Sequence, residues 1–104
     1  MIVAIVNFQL PADVTAEQAR KLYADSAPQY RAMKGLVRKY YLWDGERRIG
    51  GGVYLWESRA AADAVYTAEW KAYIKQRYGR EPEITYFDSP VIVDNEIGAT
   101  KIVA

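Results

Sequence analysis

Hydrophobic and polar residues alternate along the start of the chain, and this alternation predicts a β-strand. From Ile2 to Leu10 one face carries only apolar side chains, whereas the other carries Asn7 and Gln9 beside apolar ones. A period of two residues is typical of a strand with one buried face. Pro11 follows and predicts the end of this strand.

A helix is predicted next, because Thr15 and Gln18 have the spacing of a capping box. An apolar stripe continues to Met33. Pro28 interrupts it, since proline lacks an amide proton and disfavours helical geometry in the preceding residue. We therefore expect a break near Pro28, with Ser26 capping a second short turn.

The middle of the chain predicts a β-hairpin. Leu36 to Trp43 and Gly50 to Glu57 are rich in aromatic and branched residues, and Asp44 to Arg47 supplies a turn between them. Three consecutive glycines, Gly50 to Gly52, stand at the start of the second strand. They predict a bulge, a close approach by another backbone or a ligand, or a flexible strand start.

A second helical segment is predicted after a cap at Ser58, and Thr67 is a candidate cap for its second half. Glu83 to Asp88 predicts a fourth strand. Pro90 interrupts this strand, and Val91 to Val93 predicts further extended structure. Such a pattern is typical of an edge strand that bends or changes partner.

The order βαββαβ predicts an α+β fold of the ferredoxin-like kind, with both helices on one face of a four-stranded antiparallel sheet. Bulky residues occupy both faces of the middle strands, so a single subunit leaves an aromatic surface uncovered. A second copy packed sheet to sheet would cover it, giving a homodimer, a dimeric α+β barrel whose aromatic-walled cavity between the two sheets would hold a small apolar molecule. We expect residues 1–95 to form this domain and residues 96–104 to form a C-terminal extension that reaches the partner subunit.

Composition excludes several kinds of chemistry. The 104 residues include no cysteine and no histidine, which argues against disulfides, thiol nucleophiles, zinc hydrolysis and histidine-ligated haem. A net charge of +1, with both signs scattered, argues against a nucleic-acid partner. The first residues lack a signal-peptide pattern, and no apolar run approaches the roughly 20 residues of a membrane span. We expect a cytoplasmic protein with no membrane partner.

The chain resembles the YdhR-like monooxygenases, a family named by analogy within the dimeric α+β barrel superfamily. The residues that carry the likeness are Gly35 with Leu36, Lys39, and the GGVYLW sequence from Gly51 to Trp56. The likeness spans most of residues 1–95. It implies a ferredoxin-like homodimer, and the wider superfamily includes cofactor-independent oxygenases of polycyclic phenols, haem-degrading enzymes and isomerases. The histidine of the haem-degrading relatives has no counterpart here.

Four residues are candidates for catalysis. Asn7 interrupts an apolar strand, and the resemblance matches it, with Trp70, to an asparagine and a tryptophan of some superfamily oxygenases; alternatively, neighbouring strands satisfy its amide. Lys39 lies among aromatic residues, where it would hold a substrate anion, act as a base or extend to solvent. Tyr54 offers a phenol donor. Asp88, if buried, would remove a substrate proton, and an edge-strand ion pair is the alternative.

Aromatic side chains supply the candidate substrate-binding residues. Aromatic rings can form flat stacking walls in a cavity or can pack a core, and the sequence leaves both roles open. The candidates are Tyr41, Trp56, Tyr66, Trp70 and Tyr86.

The resemblance favours a cofactor-independent monooxygenase, with no cofactor or metal, that acts on a small aromatic or polyketide-like ligand. In this hypothesis the cavity deprotonates an electron-rich phenol, and the anion passes an electron to dioxygen. Asn7, Lys39 or Tyr54 would stabilise the anion. The alternatives are a non-enzymatic dimer that binds an apolar metabolite, and an isomerase or cyclase that uses an acid and a base such as Asp88 and Tyr54.

Overall fold

The computed structural model describes residues 1–102. Its elements in chain order are β1 Ile2–Gln9, α1 Ala16–Arg31, β2 Leu36–Asp44, β3 Ile49–Trp56, α2 Arg59–Val65, α3 Ala68–Tyr78, β4 Glu83–Asp88, β5 Val91–Asp94 and β6 Ala99–Ile102. No helix within this range is both long enough and apolar enough to cross a membrane.

The first four strands form one antiparallel sheet in the order β2-β3-β1-β4. This order is the ferredoxin-like arrangement that the βαββαβ pattern predicts, so the predicted fold is confirmed. We call the side of the sheet that packs on the helices the helix face; on β1 it carries Ala4, Val6 and Phe8, all buried. The opposite side, which carries Val3 and Ile5, is the outer face.

Helix α1 runs without a break from Ala16 to Arg31, so the predicted interruption at Pro28 is wrong. Proline inside a helix costs about 3 kcal/mol in lost hydrogen bonding and steric conflict. Tyr23 and Tyr30 lie on either side of Pro28 and are both buried against the sheet, so packing holds the helix together across it. Ser26 does not act as a cap, because its hydroxyl donates to the Tyr23 carbonyl.

The second helical segment is divided as the sequence predicts. Ser58 caps α2 by accepting from the Ala61 amide, and Thr67 caps α3 by accepting from the Trp70 amide. The chain between them turns at Tyr66, whose side chain is buried. Each half therefore presents its own buried residues to the sheet.

The predicted hairpin is present, but its irregularity lies in β2 rather than at the glycine run. The β2–β3 register shifts between Leu36 and Arg38, which leaves Val37 exposed. Leu36 therefore lies on the helix face together with Lys39 and Tyr41. A strictly alternating strand would have placed Leu36 on the opposite face from these two residues. Gly50 to Gly52 pair in regular register with both neighbouring strands, so the predicted bulge there is wrong.

The glycine run instead permits close contacts from other parts of the chain. A Cβ at Gly50 would overlap the Tyr23 hydroxyl, and one at Gly51 would overlap the Val6 carbonyl oxygen. The predicted close approach by another backbone is thus confirmed at Gly51. Space above Gly52 is taken by the side chains of Tyr54 and Lys39.

Strand β5 leaves the main sheet after Pro90 and pairs with β6, as expected for a strand that changes partner. The β5–β6 hairpin lies beside the outer face across a cleft of about 290 Å³, and Arg38 approaches Asp94 at 3.9 Å. The hairpin spans the predicted domain boundary at residue 95. Residues 103 and 104 of the predicted extension lie outside the described part of the chain.

Gly35 allows α2 to approach β2 closely, and its replacement should be costly. Its φ is +80°, and a Cβ there would lie 2.5 Å from the Ala61 Cβ. We expect Gly35→Ala to lower the free energy of unfolding by about 2–4 kcal/mol, because backbone strain of about 1–2 kcal/mol adds to the steric conflict. Urea denaturation measures this loss.

Gly98 provides the matched control, since its φ is +65° with no atom near the position of an added Cβ. Gly98→Ala should show the backbone cost alone, about 1–2 kcal/mol. Adding Ala61→Gly to Gly35→Ala should recover part of the difference. Equal losses in the two single variants would contradict the close approach of α2.

Candidate active site

Aromatic side chains fill the space between the helix face and the helices. Tyr54 and Trp56 lie parallel on β3, with ring centroids 6.0 Å apart and an angle of 4° between their planes. Tyr66 meets both rings edge-on, at 5.5 and 5.6 Å. Trp70 packs on Tyr66 at 4.7 Å. The interior therefore contains a continuous aromatic layer beside buried aliphatic residues such as Val6, Leu10 and Ile74.

Several polar tips in this layer have a hydrogen-bond partner. The indole N–H of Trp56 donates to the Tyr66 hydroxyl at 3.0 Å, and that of Trp70 donates to the Tyr30 hydroxyl at 3.1 Å. The Tyr41 hydroxyl lies 2.7 Å from the Ser26 hydroxyl. Because the only proton of Ser26 is directed at a carbonyl, Tyr41 is the donor in this pair.

The Lys39 side chain differs from these polar groups, because its ammonium group lies among ring faces. The Nζ atom is 3.5 Å from the ring centroid of Tyr30, 3.9 Å from that of Tyr41 and 4.5 Å from that of Tyr54. Among residues 1–102, no hydrogen bond or ion pair to this atom meets normal geometric limits. We call these three tyrosines and Lys39 the lysine cage.

Burial changes the acid–base behaviour of the cage. Desolvation lowers the pKa of Lys39 from 10.5 to about 7, whereas the ring faces favour the ammonium and work against this shift. Burial also raises the pKa of Tyr54 and Tyr30 above the usual value of 10. Near neutral pH the cage therefore holds neutral phenols around an amine that can gain or lose a proton.

The cage opens to solvent on one side. Lys39 and Tyr41 line an internal void of only about 10 Å³, which is near the size of one water molecule. The same residues, with Tyr30, Ala27 and Arg31, line an open cleft of about 240 Å³ between α1 and β2. A further cleft of about 390 Å³ shares Ala27 and Tyr41 and continues toward Trp43. We call the two open clefts together the α1–β2 groove.

The structure brings together some of the predicted site residues. Lys39, Tyr54 and Tyr41 meet in the lysine cage. Trp56 and Tyr66 lie deeper in the aromatic layer, where Trp56 has 0 % of its surface exposed.

Trp70 is buried as well, and it reaches the cage only through its bond to Tyr30. Tyr86 is half-buried at the edge strand, with the Arg59 guanidinium 3.6 Å from its ring centroid. The positions of Trp56, Tyr66 and Trp70 are consistent with a role in packing the interior.

Asn7 and Asp88 lie apart from the cage. Asn7 is on the outer face, opposite Gly51 and Glu83, and it lines a separate cleft. Asn7 and Trp70, which the resemblance matches to an asparagine and a tryptophan of some superfamily oxygenases, lie on opposite sides of the sheet. Asp88 is exposed at the end of β4, so the burial required for its predicted role as a base is absent.

Sequence reasoning missed the contribution of α1 to the site. Tyr30 lies over the Lys39 amine, and Ser26 fixes the Tyr41 hydroxyl. Tyr30 belongs to the apolar stripe of the helix, which indicates burial but not the neighbour that it contacts. The sequence pattern predicts Ser26 as a cap. A polar residue on the buried stripe of a continuous helix was the available signal.

Metal ligation has little support in this part of the chain. Within residues 1–102, no three acidic side chains lie close enough together to hold a metal ion. The lysine cage offers an amine, phenols and aromatic surfaces.

The chain has a ferredoxin-like α+β fold, which it shares with a solved structure described as an antibiotic biosynthesis monooxygenase. The chain belongs to the family described as "Putative mono-oxygenase ydhR", which it matches over residues 3–88. No curated protein matches the chain.

Solved structures share this fold at low sequence identity. A protein of unknown function from Nitrosomonas europaea, NE2512, is 17% identical with a TM-score of 0.66, over 83% of this chain and 85% of that one. The monooxygenase ActVA-Orf6 of Streptomyces coelicolor, solved with Nanaomycin D, is 18% identical with a TM-score of 0.62, over 85% and 86%. SnoaB of Streptomyces nogalater, a cofactor-independent oxygenase, is 13% identical with a TM-score of 0.61, over 85% and 91%.

The half-buried amine should destabilise the fold in a pH-dependent way. Below about pH 7 the folded and unfolded states both carry the Lys39 proton, and only the folded state bears the desolvation cost. Between about 7 and 10.5 the unfolded state alone keeps it, so wild-type stability rises with pH. We expect Lys39→Met to raise the free energy of unfolding by about 1–3 kcal/mol at about pH 6, and less at about pH 9.

Urea denaturation at the two pH values measures this difference. Lys71→Met, at an exposed position on α3, is the matched control and should change stability equally at both. A Lys39→Met variant that is less stable than wild type at about pH 6 would contradict the desolvated amine.

Proposed function

We propose that this protein is a cofactor-independent monooxygenase that oxidises a small aromatic, polyketide-like substrate in the α1–β2 groove. The observation that carries the proposal is the Lys39 amine, which lies among three ring faces and borders the open groove. An amine in this position can remove a proton from a substrate whose rings stack against the tyrosines.

The pKa values of the groups in the cage support Lys39 as the base. General-base catalysis is most effective when the pKa of the base is near the working pH, and burial brings the pKa of Lys39 to about 7. Burial raises the pKa values of Tyr30, Tyr41 and Tyr54, so these phenols stay protonated. The tyrosines would orient the substrate, and Lys39 would exchange the proton.

The proposed reaction is balanced without a cofactor. Lys39 takes a proton from the acidic CH₂ group or phenol of an anthrone-like substrate, and the resulting carbanion passes one electron to dioxygen. Recombination forms a C–O bond, and the peroxide takes the proton back from the Lys39 ammonium. Loss of water leaves a carbonyl group, so one oxygen atom enters the product and the other leaves as water. The charged ammonium would stabilise the intermediate anions.

Family and fold support this class of reaction. The chain belongs to a family described as mono-oxygenases, and SnoaB, described as a cofactor-independent oxygenase, shares its fold. ActVA-Orf6 is solved with a bound small molecule, Nanaomycin D. The clefts of the α1–β2 groove, about 240 and 390 Å³, fall near the range of ordinary small-molecule sites.

A homodimer is part of the proposal. Tyr40 and Phe87 on the outer face have 56% and 53% of their surfaces exposed, next to the half-buried Val53 and Leu55. A second copy packed on this face would remove this apolar surface from water. Val93 on the β5–β6 hairpin is exposed beside the same face, so the hairpin would contribute to the contact.

Oxygen consumption tests the reaction. We expect the purified protein to take up dioxygen with anthrone and release anthraquinone, at a rate that rises with pH around a midpoint near 7 as Lys39 loses its proton. Lys39→Met should lower kcat by about 10²–10⁴-fold, the usual contribution of a general base. An oxygen electrode and chromatographic product analysis give both quantities.

Further variants distinguish the loss of the base from the blocking of the groove. Lys71→Met should leave the rate unchanged. Ala27→Trp, which fills the groove shared by both clefts, should raise KM, whereas Ala60→Trp on α2 should not. Anthrone held tightly without turnover would contradict the oxygenase and favour a binding protein. Products formed without oxygen would favour an isomerase or cyclase.

The outer face can be tested separately by sedimentation. We expect the wild-type protein to sediment as a dimer and Val53→Lys to sediment as a monomer, because a charge at the centre of an apolar contact is left without a partner. Ala60→Lys, on an exposed helix position, is the control and should remain dimeric. A monomeric wild type would overturn the dimer.

A further inference from the structure

The Lys39 amine has properties of a nucleophile as well as of a base. A primary amine attacks carbonyl carbons only when it is neutral, and the ring faces around Nζ offer no carboxylate to hold it protonated. The cleft beside it is open to solvent, so a ligand can reach the nitrogen atom. Among the lysines that the structure describes, Lys39 alone meets both conditions. The others are exposed: Lys21, Lys34, Lys71, Lys75 and Lys101.

We propose that Lys39 binds aromatic aldehydes and ketones covalently, forming an imine in the α1–β2 groove. The inference goes beyond oxygenation and requires no oxidant. It identifies the position at which a carbonyl compound, including a carbonyl product of the site, would be retained.

The step is balanced by the loss of one water molecule. The neutral amine of Lys39 attacks the carbonyl carbon and forms a C–N bond, which gives a carbinolamine. The carbon–oxygen bond then breaks, and the oxygen leaves as water with the two amine protons. Solvent in the open cleft can supply and accept these protons. The product is a C=N bond that water can hydrolyse, so the capture is reversible.

The walls of the cage select for aromatic carbonyl compounds. The rings of Tyr30, Tyr41 and Tyr54 surround the nitrogen, and stacked or edge-on contacts between aromatic rings are favourable. An aliphatic aldehyde would lack these contacts. Burial also reduces the pKa of the Lys39 amine to about 7, which increases its neutral fraction at physiological pH relative to an exposed lysine.

Reductive trapping tests the proposal. The intact wild-type protein is incubated at about pH 7, without oxygen, with 2-naphthaldehyde and sodium cyanoborohydride, which reduces imines to stable amines. Each captured molecule adds the mass of the aldehyde less one oxygen atom. We expect peptide mapping to place the modification at Lys39 at least about tenfold faster than at Lys34, as a shift of one pKa unit or more predicts.

Matched variants and a second probe complete the test. Lys39→Met should abolish the fast modification, whereas Lys34→Met should not change it. Propanal should label Lys39 and Lys34 more evenly than 2-naphthaldehyde does. Labelling of Lys39 no faster than that of Lys34 would overturn the proposal, as would fast labelling confined to the amino group of Met1. Because oxygen is excluded, these outcomes are independent of the oxygen-uptake experiment.

Discussion

The hydrogen bonding of buried tyrosines is the constraint on which this structure depends. A tyrosine buried without a partner for its hydroxyl costs about 1–3 kcal/mol, so an aromatic layer is stable only where each polar tip is satisfied. Tyr23 on α1 donates to the Leu42 carbonyl of β2 at 2.8 Å, and its hydroxyl fits there because Gly50 has no side chain. Trp70 on α3 donates to Tyr30 on α1. These bonds fix the positions of the helices relative to one another and to the sheet, and so shape the groove between α1 and β2.

Local patterns predicted the order of the elements, because strands and caps depend mainly on nearby residues. The bounds of β4 at Glu83–Asp88 and the caps at Ser58 and Thr67 agree with the sequence reasoning. Pro28 was misleading because its local cost is outweighed by tertiary packing on both sides. The register shift at Val37 was also missed, since it depends on how β2 pairs with β3 rather than on the residues of β2.

The candidate site was predictable only in part for the same reason. Lys39 stood out as a charge within an aromatic strand, and the structure places it among aromatic rings. Asn7 stood out equally, as a polar residue in an apolar strand, yet it lies on the other side of the sheet. Composition identifies unusual residues, but the parity of each strand and the position of α1 decide which of them meet. Tyr30 and Lys39 are brought together by that packing.

Lys39 is difficult to explain as a structural residue. Methionine has a similar unbranched stem and would fill the space above Gly52 without a charge to desolvate. Cation–π contacts offset part of the desolvation cost, at about 0.5–2 kcal/mol each, whereas desolvation lowers the pKa of Lys39. The hydroxyls of Tyr30 and Tyr41 have hydrogen-bond partners other than the amine. An amine that borders an open groove and has a pKa near neutral is a candidate for chemistry, because perturbed pKa values cluster at functional sites.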